Sequence, residues 1–568
     1  MPGGMRSLSR SRLFLLCAAP LLITACGADD KDEPITGEAN ISILHYDYQF
    51  NMESREARAE LRVRIDSAGD CFTLPMRSEG LREVTLDEDV ALTSNVQGGQ
   101  AQVCGIGWPE GTEVLFASTT TVPLDTWQGS QVGYSVSPDI EGNPFTYLVS
   151  WVGGCDRFAP CDAKASSFAT YRFTIDHPAG QQVLCPGTLS PGETQTICEF
   201  DYAGGPTYSS FGFAASESWV KSDLGDWGGV DVSFYDMPTA DIARKIDVEE
   251  HKSFMAWMVE NFGPYPYGNE LRFAVGPTYW NGFEHPGNIV LNDRLRTSGF
   301  QSAFTNPLAH TTSHEIAHQW AGDETTLLTT HDFVWKEAMA EYLVFVHKVE
   351  NLSESRARQT LAAWKSFAGS SEYYLVPGEK PELIDYYGDV YGPGPMILFR
   401  QLEALYSRDA VMEALGSLLG EQRAIGIDDV QLALEAATGA DLNGYFATWV
   451  HGEGAPQWPR FTVAMTEEGA DLRVVVEQDN PEAGLFGCAF DIALRGENEE
   501  ELLVRVDLGP DGSARFEEVV TPEFVVANTL FDANRECLAF ESTAGSNATS
   551  NTSAKPKRVN PWVAEAFR

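Results

Sequence analysis

The periodicity of the sequence changes near Thr239, and that change constrains the architecture more than any other feature. Upstream, over residues 38–236, segments such as Ala59 to Ile65 (AELRVRI) and Thr170 to Ile175 (TYRFTI) alternate apolar and polar residues, with Gly, Pro and Asp between them. Successive strand side chains point to opposite faces, so this region reads as a large antiparallel β domain. Downstream, Ile242 to Asn261 carries apolar residues at helical spacing. So do Pro307 to Trp320, Trp335 to Leu352, Glu354 to Phe367, Met396 to Tyr406, Val411 to Leu419 and Ile427 to Ala437. Pro307 suits the first turn of its helix, with Asn306 as the cap. After Trp458, short alternating runs return (PRFTVAM, DLRVVVEQ, FGCAFDIAL, LLVRVDL and FEEVV), which read as a β-sandwich. The expected fold class is multi-domain α+β. Its divisions are a signal segment (1–25), a polar tether (26–37), a β domain (38–236), a mainly helical domain (237–455), a sandwich (456–541) and a Ser/Thr/Asn-rich tail (542–568).

The chain has 568 residues, 43% of them apolar, which is globular composition. Against 39 Lys and Arg stand 82 Asp and Glu, a formal charge of −43. A surface this acidic does not neutralise phosphates, so no nucleic-acid partner is expected. At the start, Arg6, Arg10 and Arg12 precede the apolar run Leu13 to Ile23, which is too short to span a bilayer. Ile23-Thr24-Ala25-Cys26, followed by a polar stretch, resembles the lipobox of bacterial lipoproteins, in which the Cys is acylated. The expectation is an exported chain tied to the bacterial cell envelope (outer membrane or periplasmic face) by lipid on Cys26. An ordinary signal peptide is the alternative.

Eight cysteines follow Cys26: Cys71, Cys104, Cys155, Cys161, Cys185, Cys198, Cys488 and Cys537. An even number in an exported chain reads as disulfides. Proximity favours 71–104, 155–161, 185–198 and 488–537; metal binding is the other reading, although no C-x-x-C pair supports it.

The chemistry is concentrated in His314-Glu315-Ile316-Ala317-His318. Helix residues four apart share a face, so both imidazoles can bind one zinc, with Glu315 beside it as proton acceptor from bound water. A catalytic zinc takes three protein ligands and keeps one position open. Glu337, on the next helical segment, is the candidate third ligand. One turn later, Glu341 is placed to accept the N–H of a ligand imidazole. His310 and His331 are read as structural or supporting groups.

His314 to Trp320 (HEIAHQW) together with Glu337 resembles the aminopeptidase N family of gluzincin zinc metallopeptidases, which includes the leukotriene hydrolase. Three more segments are similar to family landmarks: Asn281-Gly282-Phe283-Glu284-His285 to its GxMEN exopeptidase motif, Tyr391-Gly392-Pro393-Gly394 to its Tyr-x-x-Gly segment, and Arg157 to Asp162 to its N-terminal domain. The resemblance implies a β saddle domain, a thermolysin-like catalytic domain and a β-sandwich. It further implies one Zn2+ per chain held by His314, His318 and Glu337, and peptide substrates. By position, Glu315 is general base and then proton donor to the leaving amine. Tyr391 donates to the tetrahedral oxyanion, with Tyr386 and Tyr387 as nearby competitors. Glu284 pairs with the substrate α-ammonium, and Gly282, Phe283 and His285 complete the substrate-binding strand.

Several positions depart from the family. Phe283 and His285 replace Met and Asn, Lys336-Glu337-Ala338 replaces Asn-Glu-Gly, and Pro393 replaces Lys. Ser150 to Gly154 (SWVGG) stands where the family carries a Glu or Gln for the substrate amine. The reading is a lipid-anchored zinc aminopeptidase. An endopeptidase or narrow-specificity peptidase on the same fold is the nearest alternative, and a catalytically retired cell-surface binding protein is the alternative outside enzymes. Oligomeric state is not readable.

Overall fold

The computed structural model describes residues 37–542, apart from 78–82, 87–89, 92–94, 98, 128–131 and 298–305. The expected signal segment, Cys26, the tether to residue 36 and the tail beyond Ser542 lie outside the described residues. The architecture is multi-domain α+β with extensive sheet. Among the described residues no helix is long and apolar enough to cross a membrane.

The AELRVRI run lies in strand Glu56–Ser67, where Ala57, Ala59, Leu61, Val63 and Ile65 are buried in alternation. That strand pairs antiparallel with Asn40–Asn51 inside an eight-stranded sheet. TYRFTI lies in Phe168–Asp176, which pairs with Asn40–Asn51 in parallel, His45 opposite Thr170. The sheet is therefore not purely antiparallel. Alternation reports which face is buried, but says nothing of the neighbour's direction. A five-stranded sheet including Pro144–Val149 and Gly212–Ser216 packs against it, with the rings of Phe50 and Phe213 5.5 Å apart.

A third sheet crosses the boundary expected after residue 236. Its order is Val220–Asp226, Asp231–Asp236, Glu270–Gly276, Asn288–Asn292, Gly282–Phe283. Asp231–Asp236 runs parallel to Glu270–Gly276, and helix Val248–Phe262 makes the crossover between them. The single helix expected from Ile242 to Asn261 is two. Ile242–Lys245 ends, and the Asp247 side chain caps the next helix by accepting from Glu250 N.

Two helices carry the motif. The histidine helix, Pro307–His318, starts as expected with Pro307 in its first turn and the Asn306 side chain accepting from Ala309 N. The glutamate helix, Phe333–His347, is buried along its whole length. It passes into a wider π turn, Lys348–Leu352, so the helix expected to Leu352 changes hydrogen-bond pattern at His347. A helix not anticipated from spacing, Leu383–Tyr391, ends at the Tyr-x-x-Gly segment.

The C-terminal strands form a four-stranded sheet centred on Arg460–Glu468 and Asp471–Gln478 and a three-stranded sheet built on Ala489–Arg495. Phe461 of one sheet meets Phe490 of the other at 5.8 Å. The disulfides join Cys71 to Cys104, Cys155 to Cys161, Cys185 to Cys198 and Cys488 to Cys537, the pairs that proximity favours.

Candidate metal centre

The histidine helix brings His314 and His318 onto one face, one turn apart, with their Nε2 atoms 2.9 Å from each other. His318 Nδ1 lies 3.0 Å from the Ala321 carbonyl oxygen, and His314 Nδ1 makes a bent contact of 3.0 Å with Glu341 Oε1. The Ala321 carbonyl assigns the His318 ring proton to Nδ1 and leaves a lone pair on its Nε2. Glu337 completes the triangle, with Oε2 3.2 Å from His314 Nε2 and Oε1 3.5 Å from His318 Nε2. One donor atom from each of the three buried residues falls within 4.8 Å of the other two.

Two imidazole nitrogens and a carboxylate this close favour a positive charge between them. Burial alone would pull the His314 imidazolium down, but hydrogen bonds and charge from Glu337 and Glu341 outweigh it and lift the group to about 10. The pocket thus attracts a cation even where only a proton is available. Two nitrogens and one carboxylate, with a fourth side open, are a fitting donor set for zinc.

Glu341 organises the surroundings. Its carboxylate accepts from Trp364 Nε1 at 2.6 Å, from Tyr391 Oη at 2.6 Å and from His310 Nε2 at 2.7 Å. His310 Nδ1 in turn faces Lys348 Nζ at 3.0 Å, so both ring nitrogens of His310 are engaged. That agrees with the reading of His310 as a supporting group. His331 is a packing residue in the connecting loop, its ring 6.0 Å from that of Tyr386.

Glu315 lies against Gly282, where any Cβ would run into the Glu315 carboxylate. Glycine at 282 therefore makes room for the candidate base. Burial lifts the Glu315 carboxyl to about 8, with His314 opposing and Glu284 adding to the rise. A cleft lined by Trp280, Asn281, Gly282, Thr311, His314, Glu315, Tyr387 and Tyr391 opens onto this group. Both Tyr387 and Tyr391 line it, whereas Tyr386 is fully buried away from it.

Strand Gly282–Phe283 and the two residues after it direct their side chains to two sides. Gly282 and Glu284 face the two motif helices. Phe283 and His285 take the other face, their rings 4.7 Å apart, and His285 Nδ1 meets the Ser209 carbonyl. Neither Phe283 nor His285, expected as substrate-binding side chains, is among the residues that line the cleft. Glu284 does not stand free either. Its Oε1 is 2.8 Å from Lys336 Nζ, which also lies 2.9 Å from Glu337 Oε1. Within Ser150 to Gly154, Trp151 packs its ring 5.6 Å from Trp280, 5.6 Å from Phe333 and 5.9 Å from Tyr387.

Gln319, Asp323 and Ser209, to which the sequence assigned no role, tie the site together. Gln319 Oε1 accepts from Gly287 N at 2.8 Å and from Tyr265 Oη at 3.1 Å, while its Nε2 donates to Asp323 Oδ2 at 3.2 Å. Ser209 Oγ donates to Asp323 Oδ1 at 2.5 Å. Gln319 and Asp323 follow the His pair closely in sequence and Ser209 does not; nothing local specifies these contacts.

Residues 246–449 match the peptidase family M1 domain. The chain is 22% identical over 428 residues to aminopeptidase N of Streptomyces lividans, which covers 70% of this chain and 48% of that protein. The chain thus spans about half the length of this curated relative. In overall structure it is similar to Legionella pneumophila aminopeptidase A, solved in complex with aspartic acid. The TM-score is 0.68 at 15% identity, over 93% of this chain and 66% of that one.

Proposed function

We propose that this chain, whose residues 246–449 match the peptidase family M1 domain, is a zinc-dependent metalloaminopeptidase that releases N-terminal residues from peptides. The observation that carries this is the convergence of the two Nε2 atoms and the Glu337 carboxylate next to a buried Glu315. His314, His318 and Glu337 would hold one zinc, which when bound polarises the scissile carbonyl and acidifies water. Glu315 takes the proton of the attacking water and returns it to the leaving amine. Tyr391, at the cleft wall, donates to the oxyanion. Glu341 aligns His314 and Tyr391. Gly282 leaves space for Glu315 and lets a substrate backbone lie along its strand.

The same reading divides the chain into a β saddle domain, a thermolysin-like catalytic domain and a β-sandwich, and places it at the bacterial cell envelope through lipid on Cys26. Loss of fatty-acid labelling in Cys26→Ala tests the anchor.

A second reading, cleavage with narrower or internal specificity, is favoured by one observation, the ion pair that already occupies Glu284. Zinc-loaded protein and a mixed peptide library separate these. Free N-terminal residues, lost in Glu315→Gln with zinc retained, are the expected result. Internal fragments would replace the exopeptidase reading, and zinc without turnover would point to a retired binding protein.

A further inference from the structure

The candidate amine subsite contains an ammonium of the protein's own. Lys336 is 1% exposed, and its Nζ bridges Glu284 Oε1 at 2.8 Å and Glu337 Oε1 at 2.9 Å. Both separations are those of an ion pair, with one ammonium shared between two buried carboxylates.

The lysine is held in place by its surroundings. At Gly322 a Cβ would stand 2.8 Å from Lys336 Cε and 3.0 Å from Cγ, so the absence of a side chain there makes the channel for the lysine stem. Tyr208 donates its hydroxyl to the Gly322 carbonyl at 2.8 Å and fixes that wall. The Nζ also lies 4.9 Å from the centre of the Phe333 ring. Neither Glu284 nor Lys336 lines the cleft that reaches Glu315. The cleft is instead bordered by Trp280 and Tyr387, against which Trp151 packs.

A substrate ammonium arriving at Glu284 would meet a carboxylate already neutralised and a like charge close by. We propose that Lys336 is the specificity-determining residue of this subsite: its ammonium takes the Glu284 carboxylate, so the enzyme accepts N-terminal residues without reading their positive charge. The class of substrate this admits includes acyl groups bearing an α-hydroxyl or another neutral group in place of the amine. The inference rests on the peptidase reading above, but its test fails separately from it.

The test compares aminoacyl anilides with their 2-hydroxyacyl counterparts, which match in size and differ in charge. It uses zinc-loaded wild type, Lys336→Met and Glu284→Gln, each checked for zinc content. The two ligand types are also measured for binding, as amides, by calorimetry. In wild type the ratio of kcat/KM values, amine over hydroxyl, is expected within about tenfold. Lys336→Met frees Glu284 and raises both this ratio and the binding preference at least about tenfold. Glu284→Gln shifts them less than about threefold. A wild-type preference above about a hundredfold that Lys336→Met leaves unchanged, or that Glu284→Gln abolishes, overturns the proposal. Should Lys336→Met lose zinc, Glu284→Gln alone decides it. Absence of turnover in wild type refutes the peptidase reading, while calorimetry still decides the role of Lys336.

Discussion

The Nε2 atoms of His314 and His318 stand 2.9 Å apart, with the His318 ring proton directed to the Ala321 carbonyl. A metal cation held between them binds the folded chain and not the unfolded one. Chelation is therefore expected to lower Tm, and zinc to restore it. The gain is about 4 kcal/mol at a thousandfold excess over Kd. Glu337→Gln removes the charged ligand and should abolish most of that zinc-dependent shift in a thermal melt. A wild-type Tm indifferent to chelator and zinc would contradict the assignment.

Glu341 gathers Trp364, Tyr391 and His310 on one fully buried carboxylate. Glu341→Ala removes a charged acceptor from three donors and leaves a cavity. Destabilisation of about 3–5 kcal/mol is expected by denaturant titration. Misorientation of His314 should also weaken zinc about ten- to a hundredfold in a metal-competition assay.

Tyr391 and Tyr387 both border the cleft, but only Tyr391 shares Glu341 with His310 and His314. If Tyr391 donates to developing negative charge, Tyr391→Phe lowers kcat by about a hundredfold or more with KM little changed. Tyr387→Phe should cost far less. The reverse ranking in steady-state kinetics would move the role to Tyr387.

The ligand spacing was legible because it belongs to single helices. His314 and His318 share a face wherever that helix lies, and Asn306 with Pro307 marks its start. The strand faces were legible for the same local reason, as Ala57 to Ile65 shows. Long-range placement was not legible. Glu270–Gly276 and Asn288–Asn292 are buried almost throughout, so they lack the alternation that would have joined them to Asp231–Asp236. Lys336 stood out only as a departure from the family. Its role needs Glu284 from a strand, Gly322 from a loop and Tyr208 from the N-terminal β region, and no local pattern encodes that meeting. His285 shows the limit of motif position: next to Glu284 in sequence, it meets the Ser209 carbonyl while Glu284 meets Lys336.

The pH dependence of stability should carry the signature of Glu324. Its Oε2 is buried with no hydrogen-bond donor among the described residues. Burial, with Glu421 adding, lifts its carboxyl to about 7. Folding thus favours the protonated form. Its contribution is complete below the unfolded carboxylate range, near ~4.3, and is lost as pH rises through about 7. Asp236 and Asp389, each lifted to about 6 by burial, act in the same direction. Buried His251 and His347, which burial lowers to about 3 and about 4, act oppositely. Their stabilisation is present above the ordinary histidine range and lost as pH falls below it. Wild type should therefore lose stability on both sides of a mildly acidic optimum. Glu324→Gln removes only the alkaline loss at this site. The variant is expected to gain Tm relative to wild type at about pH 8 and to gain little or nothing at about pH 5. Equal effects at the two pH values in paired thermal melts would show that Glu324 does not titrate between them.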